Sequence, residues 1–523
     1  MTLRPVLWIL VIGFFGVFFV YPLGTLLVTA FTGASGAGIS DLFTAPMGSV
    51  ALFTFAQAAL STVLTMAVGL PGAAVLARFR FRGRGLIEAL SVVAFVMPTV
   101  VVAAAVTELV PDRGLVAILV AHVYFNLAVV LRMVGAYWAQ LDRQPGEAAA
   151  SLGAAPLRVF WSVTVPQLRP VLWSAAAIVF LFTFTSFGII LLLGGPGMAT
   201  IEVEIQRQAL FLFNLPLAAA LSLLQILIVG LLLIVQVRLM RSLPAAAEST
   251  AGTLRRPRTP AQRAAVASFV VAGLMVLSGP LLIVVARALQ VGDGWGWENF
   301  TRLGTSRADS ILFVPPAEAL ANSLLYAGAA AIIATAVGGV IAWLVASGSS
   351  RARGWDVLLL LPLGVSAVAL GFGIVIAFDT DPVNWRATFW MVPVAQALIA
   401  IPFVVRALAP ALQAIGPRVR EAAATLGARP WQVWRHVELP MVWRSLLVAL
   451  GFSFAISLGE FGATLFVARG DHPTVPIAIY RLLGTPGEAN QGQAMALAAI
   501  LIVLTATIIL VTDKWRRPGS SHV

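Results

Sequence analysis

Long apolar segments, one after another, are the feature that most restricts how this chain can fold. A helix needs about 20 apolar residues to cross the hydrocarbon core of a bilayer. About twelve segments reach that length: 5–30, 52–77, 86–110, 114–140, 170–194, 215–240, 264–290, 321–347, 355–378, 388–413, 441–467 and 490–513. Only 11% of the residues are charged, whereas a soluble domain carries about a quarter. We therefore expect an all-α integral membrane protein.

The charge distribution predicts the orientation of these spans. The net charge is +12, and Lys514 is the single lysine, so nearly all of the basic residues are arginines. Basic residues collect in the cytoplasmic loops of membrane proteins, which removes the need for a nucleic-acid partner. The segments that are cytoplasmic when both termini lie inside hold most of the arginines: 78–84, 141–169, 238–263, 351–353, 414–444 and 514–517. We expect a multi-pass protein of the cytoplasmic membrane with both termini inside.

The two halves of the chain are copies of each other. Residues 147–154 read EAAASLGA, and 274 positions later residues 421–428 read EAAATLGA. The same offset relates Arg132 to Arg406 and Arg207 to Arg481 without a gap. A polar linker, 242–262, separates a first half, 1–241, from a second, 263–523, with six spans each. Six is even, so the repeat is parallel, and we expect a pseudo-two-fold axis along the membrane normal with a pathway between the halves.

Each copy of the repeated segment predicts a rigid cytoplasmic projection. A helical stretch is followed by a glycine suited to a helix C-cap, a second amphipathic stretch with aromatic residues, and a proline before the next span. These projections cover about 144–166 and 418–440. Their marker residues are Glu147, Ala148, Ala149, Gly153 and Pro166 in the first copy, and Glu421, Ala422, Ala423, Gly427 and Pro440 in the second. Exposed aromatic side chains at such sites would suit a groove on a partner protein.

Both copies resemble the EAA signature of the permeases of ATP-binding-cassette (ABC) importers. That signature is Glu-Ala-Ala, three residues, Gly, nine residues, then hydrophobic-x-hydrophobic-Pro. One conservative departure is Val165, where the family usually has leucine. The resemblance covers nearly the whole chain, which looks like the fused permeases of thiamine and ferric-iron importers. It implies the type I importer permease fold, with both segments as coupling helices for two ATPase subunits, and an extracytoplasmic solute-binding protein as a further partner.

The chain itself offers no site for ATP hydrolysis. A phosphate-binding loop needs a Gly-Lys-Ser/Thr sequence, and the single lysine lies in Asp513-Lys514-Trp515. We therefore expect a non-catalytic subunit that binds no cofactor, with ATP held by the partner. An ion-coupled secondary transporter is the alternative, although it would lack the paired projections and would usually show several intramembrane charges.

Glu460 is the main candidate for a residue on the substrate pathway. A charge within a span is costly and marks a functional site by default, and Glu460 lies well inside the span 441–467 with Ser457 nearby. Its counterpart in the first half is Ser186, so the acid is present in one half only. A single acid would suit a cation such as thiamine or a ferric ion. The alternative is a structural acid bonded to neighbouring backbone.

Two further groups of polar residues are candidates for weaker roles. Glu202 and Glu204 follow the first half's external loop and could contact the binding protein, although solvated loop acids are the commoner case. His122 and Asn126 lie one helical turn apart within a span, which favours a hydrogen-bonded packing pair over a metal ligand. We predict no metal site.

Overall fold

The protein is almost entirely helical in the computed structural model, which describes residues 3–32, 37–142, 144–241, 254–305, 311–346, 365–379, 384–385 and 388–516. The first half contains α1 (Pro5–Phe31), α2 (Ala45–Arg78), α3 (Arg84–Val96), α4 (Thr99–Leu109), α5 (Leu115–Gln140), α6 (Gln144–Ser151), α7 (Pro156–Phe184), α8 (Gly188–Leu193), α9 (Ile201–Gln206) and α10 (Leu215–Met240).

The second half repeats this order of long and short helices. It contains α11 (Pro260–Leu289), α12 (Pro316–Ala346), α13 (Ala367–Phe378), α14 (Met391–Gln413), α15 (Pro417–Thr425), α16 (Pro430–Gly459), α17 (Gly462–Val467), α18 (Val475–Leu483) and α19 (Glu488–Thr512). A two-stranded hairpin, β1 (Gln290–Val291) and β2 (Gly294–Trp295), follows α11.

Ten of the described helices are long and apolar enough to cross a membrane, and the pair α3 and α4 makes an eleventh. The predicted span 86–110 is not a continuous helix, because α3 and α4 meet at an angle of 105°. The first part of the predicted span 355–378 lies outside the described residues, and its remainder forms α13. Large apolar side chains cover the outer faces of the long helices, such as Ile9 and Ile332, which are 68% and 66% exposed. The helical membrane architecture predicted from the sequence is confirmed.

Two other predicted spans are also broken rather than continuous. The predicted span 170–194 divides into α7 and α8 around Ser186, and the span 441–467 divides into α16 and α17 around Glu460. The short helices α8 and α17 begin and end at positions related by the 274-residue offset. The interruptions are therefore part of the repeat.

The repeat also holds in the packing between helices. The backbone N–H of Ile201 donates to Thr54 Oγ1 in the first half, and that of Val475 donates to Ser323 Oγ in the second. The acceptors on α2 and α12 are 269 positions apart. Helices α2 and α12 therefore correspond to each other with an offset of 269, five residues less than the 274 of the rest of the repeat. Both bonds connect the start of a short helix to the second long helix of its half.

The first helix of each half packs against the opposite half. Phe18 of α1 lies 6.0 Å from Phe378 of α13, measured between ring centroids. In the other direction, the hydroxyl of Tyr124 on α5 donates to the carbonyl oxygen of Leu277 on α11, at 3.3 Å. Because each half contributes its first helix to the packing of the other half, the two halves share one core.

The end of the linker is ordered against the first half. Residues 242–253 lie outside the described residues, but Arg255 pairs with the chain after α2: its N–H donates to Arg78 O and its carbonyl accepts from Arg80 N–H. Helix α11 begins at Pro260, a few residues earlier than the predicted boundary. The reason is a capping box in which Thr259 and Gln262 satisfy each other's backbone N–H groups.

Close contact between α12 and α14 generates a stability prediction. A Cβ atom added at Gly338 would lie 2.8 Å from Val404 Cγ1, whereas one added at Gly339 would meet only Leu408 Cδ1, at 3.9 Å. We expect Gly338→Ala to lower the free energy of unfolding by about 1–3 kcal/mol, since overpacking forces the helices apart. Thermal melting of the purified protein in detergent measures this. Gly339→Ala is the matched control and should melt no lower than the wild type; equal melting of both variants would contradict the prediction.

Candidate transport pathway and docking segments

The first repeated segment forms a helical hairpin with a sharp glycine turn. Helix α6 ends in a Schellman motif, in which Gly153 N–H donates to Ala150 O and Ala154 N–H donates to Ala149 O. Gly153 has φ 85°, a conformation that favours glycine. The second hairpin makes the same two bonds at matched positions, and Gly427 has φ 84°. We call residues 144–166 the first hairpin and residues 417–440 the second hairpin.

Each hairpin has a solvent-exposed leucine at its tip. Leu152 and Leu426 occupy matched positions directly before the two glycines, and each side chain is 89% exposed. An isolated leucine on a surface is common, but the same exposure at both copies shows that the fold presents them. The sequence analysis drew attention to the aromatic residues of these segments and missed the leucines, although they lie inside the repeated sequence.

The second helix of each hairpin continues into the membrane. Pro166 and Pro440 were expected to end these helices, but α7 and α16 run through them as single helices of 29 and 30 residues. A five-residue π-helical turn directly precedes the Val-Pro and Leu-Pro pairs, at Phe160–Thr164 and Trp434–Glu438. Such a turn accommodates a residue that cannot donate a backbone hydrogen bond. Each hairpin is thus rigidly joined to a transmembrane helix.

Aromatic packing and the linker hold the first hairpin. Trp138 of α5 packs on Phe160 with ring centroids 6.2 Å apart, and the Arg78 guanidinium lies 5.1 Å over the Trp138 ring. Arg255 of the linker donates to Glu147 Oε1 at 3.2 Å. Both partners of this ion pair are more than half exposed, so it adds little stability, but it shows that the linker lies beside the first hairpin.

A buried carboxylate holds the second hairpin instead. Glu438 is 3% exposed and accepts hydrogen bonds from Arg420 Nε and, at 2.8 Å, from Trp343 Nε1. These bonds connect α15, α16 and α12. The counterparts of Arg420 and Glu438 are Gly146 and Thr164, so the first hairpin has no equivalent of this network.

A cavity of about 320 Å³ lies between the two halves, at the level of the helix breaks. Its polar wall residues include His122, Ser186 and Glu460. Ser457 is not among the wall residues, and its side chain is buried. Seven of its 22 wall residues are phenylalanines, contributed by both halves: Phe95, Phe125, Phe182, Phe187, Phe403, Phe452 and Phe461. The structure thus brings together two of the three predicted pathway residues.

Glu460 bonds to the start of the helix that follows it. Its Oε1 accepts the N–H of Ala463 at 2.8 Å, and its Oε2 accepts the N–H of Thr464 at 2.9 Å and also the Thr464 hydroxyl. The carboxylate therefore caps α17 and supports the predicted structural role. It also lines the cavity, so the two alternatives considered for this residue are not exclusive.

Two phenylalanines close one end of the cavity. Phe187 and Phe461 stack with ring centroids 5.6 Å apart and planes 23° apart. They are related by the 274-residue offset. Matched residues of two parallel halves can touch each other only at the pseudo-two-fold axis, so this pair marks the axis. Both rings are less than a tenth exposed.

The other end of the cavity leads toward the hairpins. A second cavity of about 380 Å³ shares Phe95 and Phe452 with the first, and a third of about 340 Å³ shares Val92 and Arg132 with the second. The third reaches Arg84, which donates to backbone carbonyls at the end of α2, near the linker and the first hairpin. A row of three cavities therefore extends from the Phe187–Phe461 pair toward the hairpin end of the molecule.

Glu202 and Glu204 were expected to lie on an external surface, and that expectation is wrong. Each is 1% exposed. Glu202 accepts the Ser366 hydroxyl at 2.6 Å and Gln225 Nε2 at 3.0 Å, and Glu204 accepts Gln208 Nε2 at 2.6 Å. Ser366 is the N-cap of α13, so Glu202 connects the two halves. As they lie here, neither carboxylate can contact a soluble partner.

A loop in the second half exposes charges at the same end of the molecule. Asp471 lies between Arg469 and His472, 3.2 Å from each, and all three side chains are about half exposed. The hydrogen bond with His472 holds the pKa of the Asp471 carboxyl below its ordinary value. This loop is more accessible to a partner than the two buried glutamates.

His122 and Asn126 are hydrogen-bonded, but through the backbone of His122 and not through its imidazole. Its Nδ1 lies 2.9 Å from Ser61 Oγ, while Asn126 Nδ2 donates to the backbone carbonyl of His122. Within the described residues, no three His, Asp or Glu side chains are grouped in a way that could hold a metal ion.

These features are those of a membrane-spanning subunit through which a solute passes. The family described as "Binding-protein-dependent transport system inner membrane component" matches residues 69–244 and 318–516, one match in each half. The chain belongs to this family. The two matches confirm that it is a fused, two-half permease of an ABC importer, and they exclude the secondary transporter considered as the alternative.

Among curated relatives, thiamine transport permeases match along most of the chain. The thiamine transport system permease protein ThiP of Brucella abortus is 28% identical and covers 94% of this chain and 92% of its own. ThiP of Escherichia coli K12 is 27% identical, with coverage of 89% and 88%. A putative 2-aminoethylphosphonate permease protein, PhnV of Salmonella typhimurium, is 32% identical but covers 30% of this chain and 57% of its own.

The bonds of Glu460 generate a prediction that separates its two roles. Glu460→Gln keeps the shape, but an amide presents one acceptor oxygen where the carboxylate presents two. We expect the free energy of unfolding to fall by about 1–3 kcal/mol, since buried donors at the start of α17 lose their acceptor. Melting in detergent and uptake into vesicles should be measured on one sample.

Ser186→Ala is the matched control, because Ser186 lines the same cavity at the equivalent position of the first half. It should leave the melting temperature unchanged. If Glu460→Gln melts like the wild type but transports a cation poorly, the carboxylate acts on the pathway and not as a helix cap.

Proposed function

We propose that this permease imports thiamine, or a closely similar organic cation, from an extracytoplasmic binding protein. The observation that carries the proposal is the cavity between the halves, whose wall contains seven phenylalanines and one carboxylate. Aromatic faces attract organic cations through their quadrupole, and a thiazolium ring is such a cation. The extensive similarity to thiamine permeases supports the same substrate.

A ferric ion fits the cavity less well. Hard cations are held by clusters of oxygen ligands, and Glu460 is the single carboxylate among the residues that line this cavity. Its oxygens already accept hydrogen bonds from α17. The wall therefore offers stacking surfaces and little charge. Such a passage suits a permease that receives its substrate from a binding protein and need not bind it tightly.

The two hairpins are the proposed coupling helices. Each would dock on one ATPase subunit, with Leu152 or Leu426 entering a groove on that subunit. The proposed topology places the hairpins and both termini in the cytoplasm, consistent with the arginine distribution. ATP hydrolysis would then take place on the two partner subunits.

The experiment that tests the function is reconstitution with the partner ATPase and binding protein in lipid vesicles. We expect thiamine-loaded binding protein to stimulate ATP hydrolysis and thiamine uptake, and a ferric-loaded homologue to do neither. Native mass spectrometry should give one copy of this chain with two ATPase subunits. Two permease chains per complex would contradict the fused-dimer arrangement, and uptake of iron without thiamine would contradict the substrate.

A substitution at the hairpin tip tests the docking surface separately. Leu426→Gln should weaken ATPase binding about tenfold or more, because a leucine that becomes buried contributes about 1.5–3 kcal/mol. The side chain is 89% exposed in the isolated chain, so the melting temperature should not change. Leu212→Gln is the control, since Leu212 is also exposed (52%) but lies outside both hairpins. Unchanged ATPase affinity for Leu426→Gln would place the docking surface elsewhere.

A further inference from the structure

A larger cavity, of about 640 Å³, lies away from the transport pathway. It is enclosed by α12, α14, α16 and the beginning of α1, and the second hairpin forms one side. Apart from Thr335 and the indole nitrogens of three tryptophans, the side chains on its wall are apolar. A space of this size and polarity suits a hydrocarbon chain rather than water or a polar solute.

The first half shows what this region looks like when it is filled. There, Leu70 and Trp138 belong to a packed cluster around Val134. Their counterparts in the second half are Gly339, by the offset that matches α2 to α12, and Leu412. Both positions carry a smaller side chain than in the first half, and both residues line the cavity.

Trp343 does not refill the space, although it replaces the smaller Ala74. Its Nε1 donates to Glu438 Oε2 at 2.8 Å, which holds the indole against the wall. The buried Glu438 is in turn held by Arg420. The cavity is therefore supported by a hydrogen-bonded frame that the first half lacks, and is not simply a packing defect.

The surroundings place the cavity at the membrane boundary. Ile332, on its wall, is 66% exposed on the outer face of α12. At the other end, Trp431 and Trp434 of the second hairpin stack with ring centroids 5.0 Å apart, and both line the cavity. Tryptophan collects where hydrocarbon meets headgroups. One end of the cavity thus meets lipid tails and the other meets the headgroup layer.

The charges beside the tryptophans are positive. Arg429 and Arg435, which adjoin Pro430 and Trp434 in the sequence, are both exposed, and within the described chain neither forms an ion pair with a carboxylate. Glu438, the acid nearest to Arg435 in sequence, is already bound by Arg420. Exposed arginines at a membrane surface attract anionic lipid headgroups, each contributing about 1 kcal/mol.

We propose that this cavity binds one acyl chain of an anionic phospholipid, with the headgroup at these arginines. The lipid comes from the leaflet that meets the hairpins. The bound chain packs against Trp431 and Trp434 and so braces the second hairpin against α12 and α16. The site does not depend on which substrate the permease carries.

Native mass spectrometry of the chain purified in mild detergent tests the proposal, with phosphatidylglycerol and phosphatidylcholine as probes. Gly339→Leu restores the leucine of the first half, and an added Cβ there has room. We expect the wild type to retain one phosphatidylglycerol and Gly339→Leu to lose it. Gly230→Leu is the matched control on α10, where an added Cβ meets nothing within 4 Å, and it should retain the lipid.

A second variant keeps the test decisive if the first does not fold. Leu412→Trp fills the cavity from α14 with the first half's residue and should also remove the lipid. Arg435→Gln should reduce the preference for phosphatidylglycerol over phosphatidylcholine while a lipid is still retained. The proposal is overturned if the wild type retains no phospholipid, if a folded, filled variant retains it as the wild type does, or if the wild type shows no headgroup preference.

Discussion

A helix that breaks inside a bilayer exposes backbone groups that no water can satisfy. This chain has three such interruptions in the described residues: the 105° bend between α3 and α4, and the gaps before α8 and α17. At the gap before α17, Glu460 takes two backbone N–H groups that lack partners in the preceding helix. The interruptions meet between the halves, and the central cavity lies where they meet. The central cavity therefore depends on hydrogen-bond partners for the backbone groups that each break exposes.

Much of this arrangement could be predicted because the two halves of the chain are repeats that can be compared with each other. The 274-residue offset identified the two hairpins, and the conformation of Gly153 and Gly427 follows from a short local pattern. The helical membrane class followed from apolar length alone. Such features depend on residues close together in sequence, where periodicity and turn preferences carry the information.

What could not be predicted depends on contacts between distant residues. Glu202 is buried because Ser366, 164 residues away, donates to it, and nothing near Glu202 in the sequence indicates this. The bend at Pro98 could be mistaken for a tolerated proline within one span. The cavity beside Leu412 becomes apparent only when its counterpart, Trp138, is seen in a packed cluster.

The two halves differ most in how their short central helices are held. In the second half, the N-cap of α13 is bonded by Glu202 of the first half, and α17 is capped by Glu460. The two helices also pack together through Phe372 and Phe466, whose ring centroids lie 5.9 Å apart. Separating either helix from its carboxylate would leave at least one buried carboxylate oxygen without a hydrogen-bond donor, at a cost of about 1–3 kcal/mol. Within the described residues, no carboxylate bonds the start of α4 or α8. We therefore expect α13 and α17 to move as one body, and α4 and α8 to shift more easily when the Phe187–Phe461 pair opens.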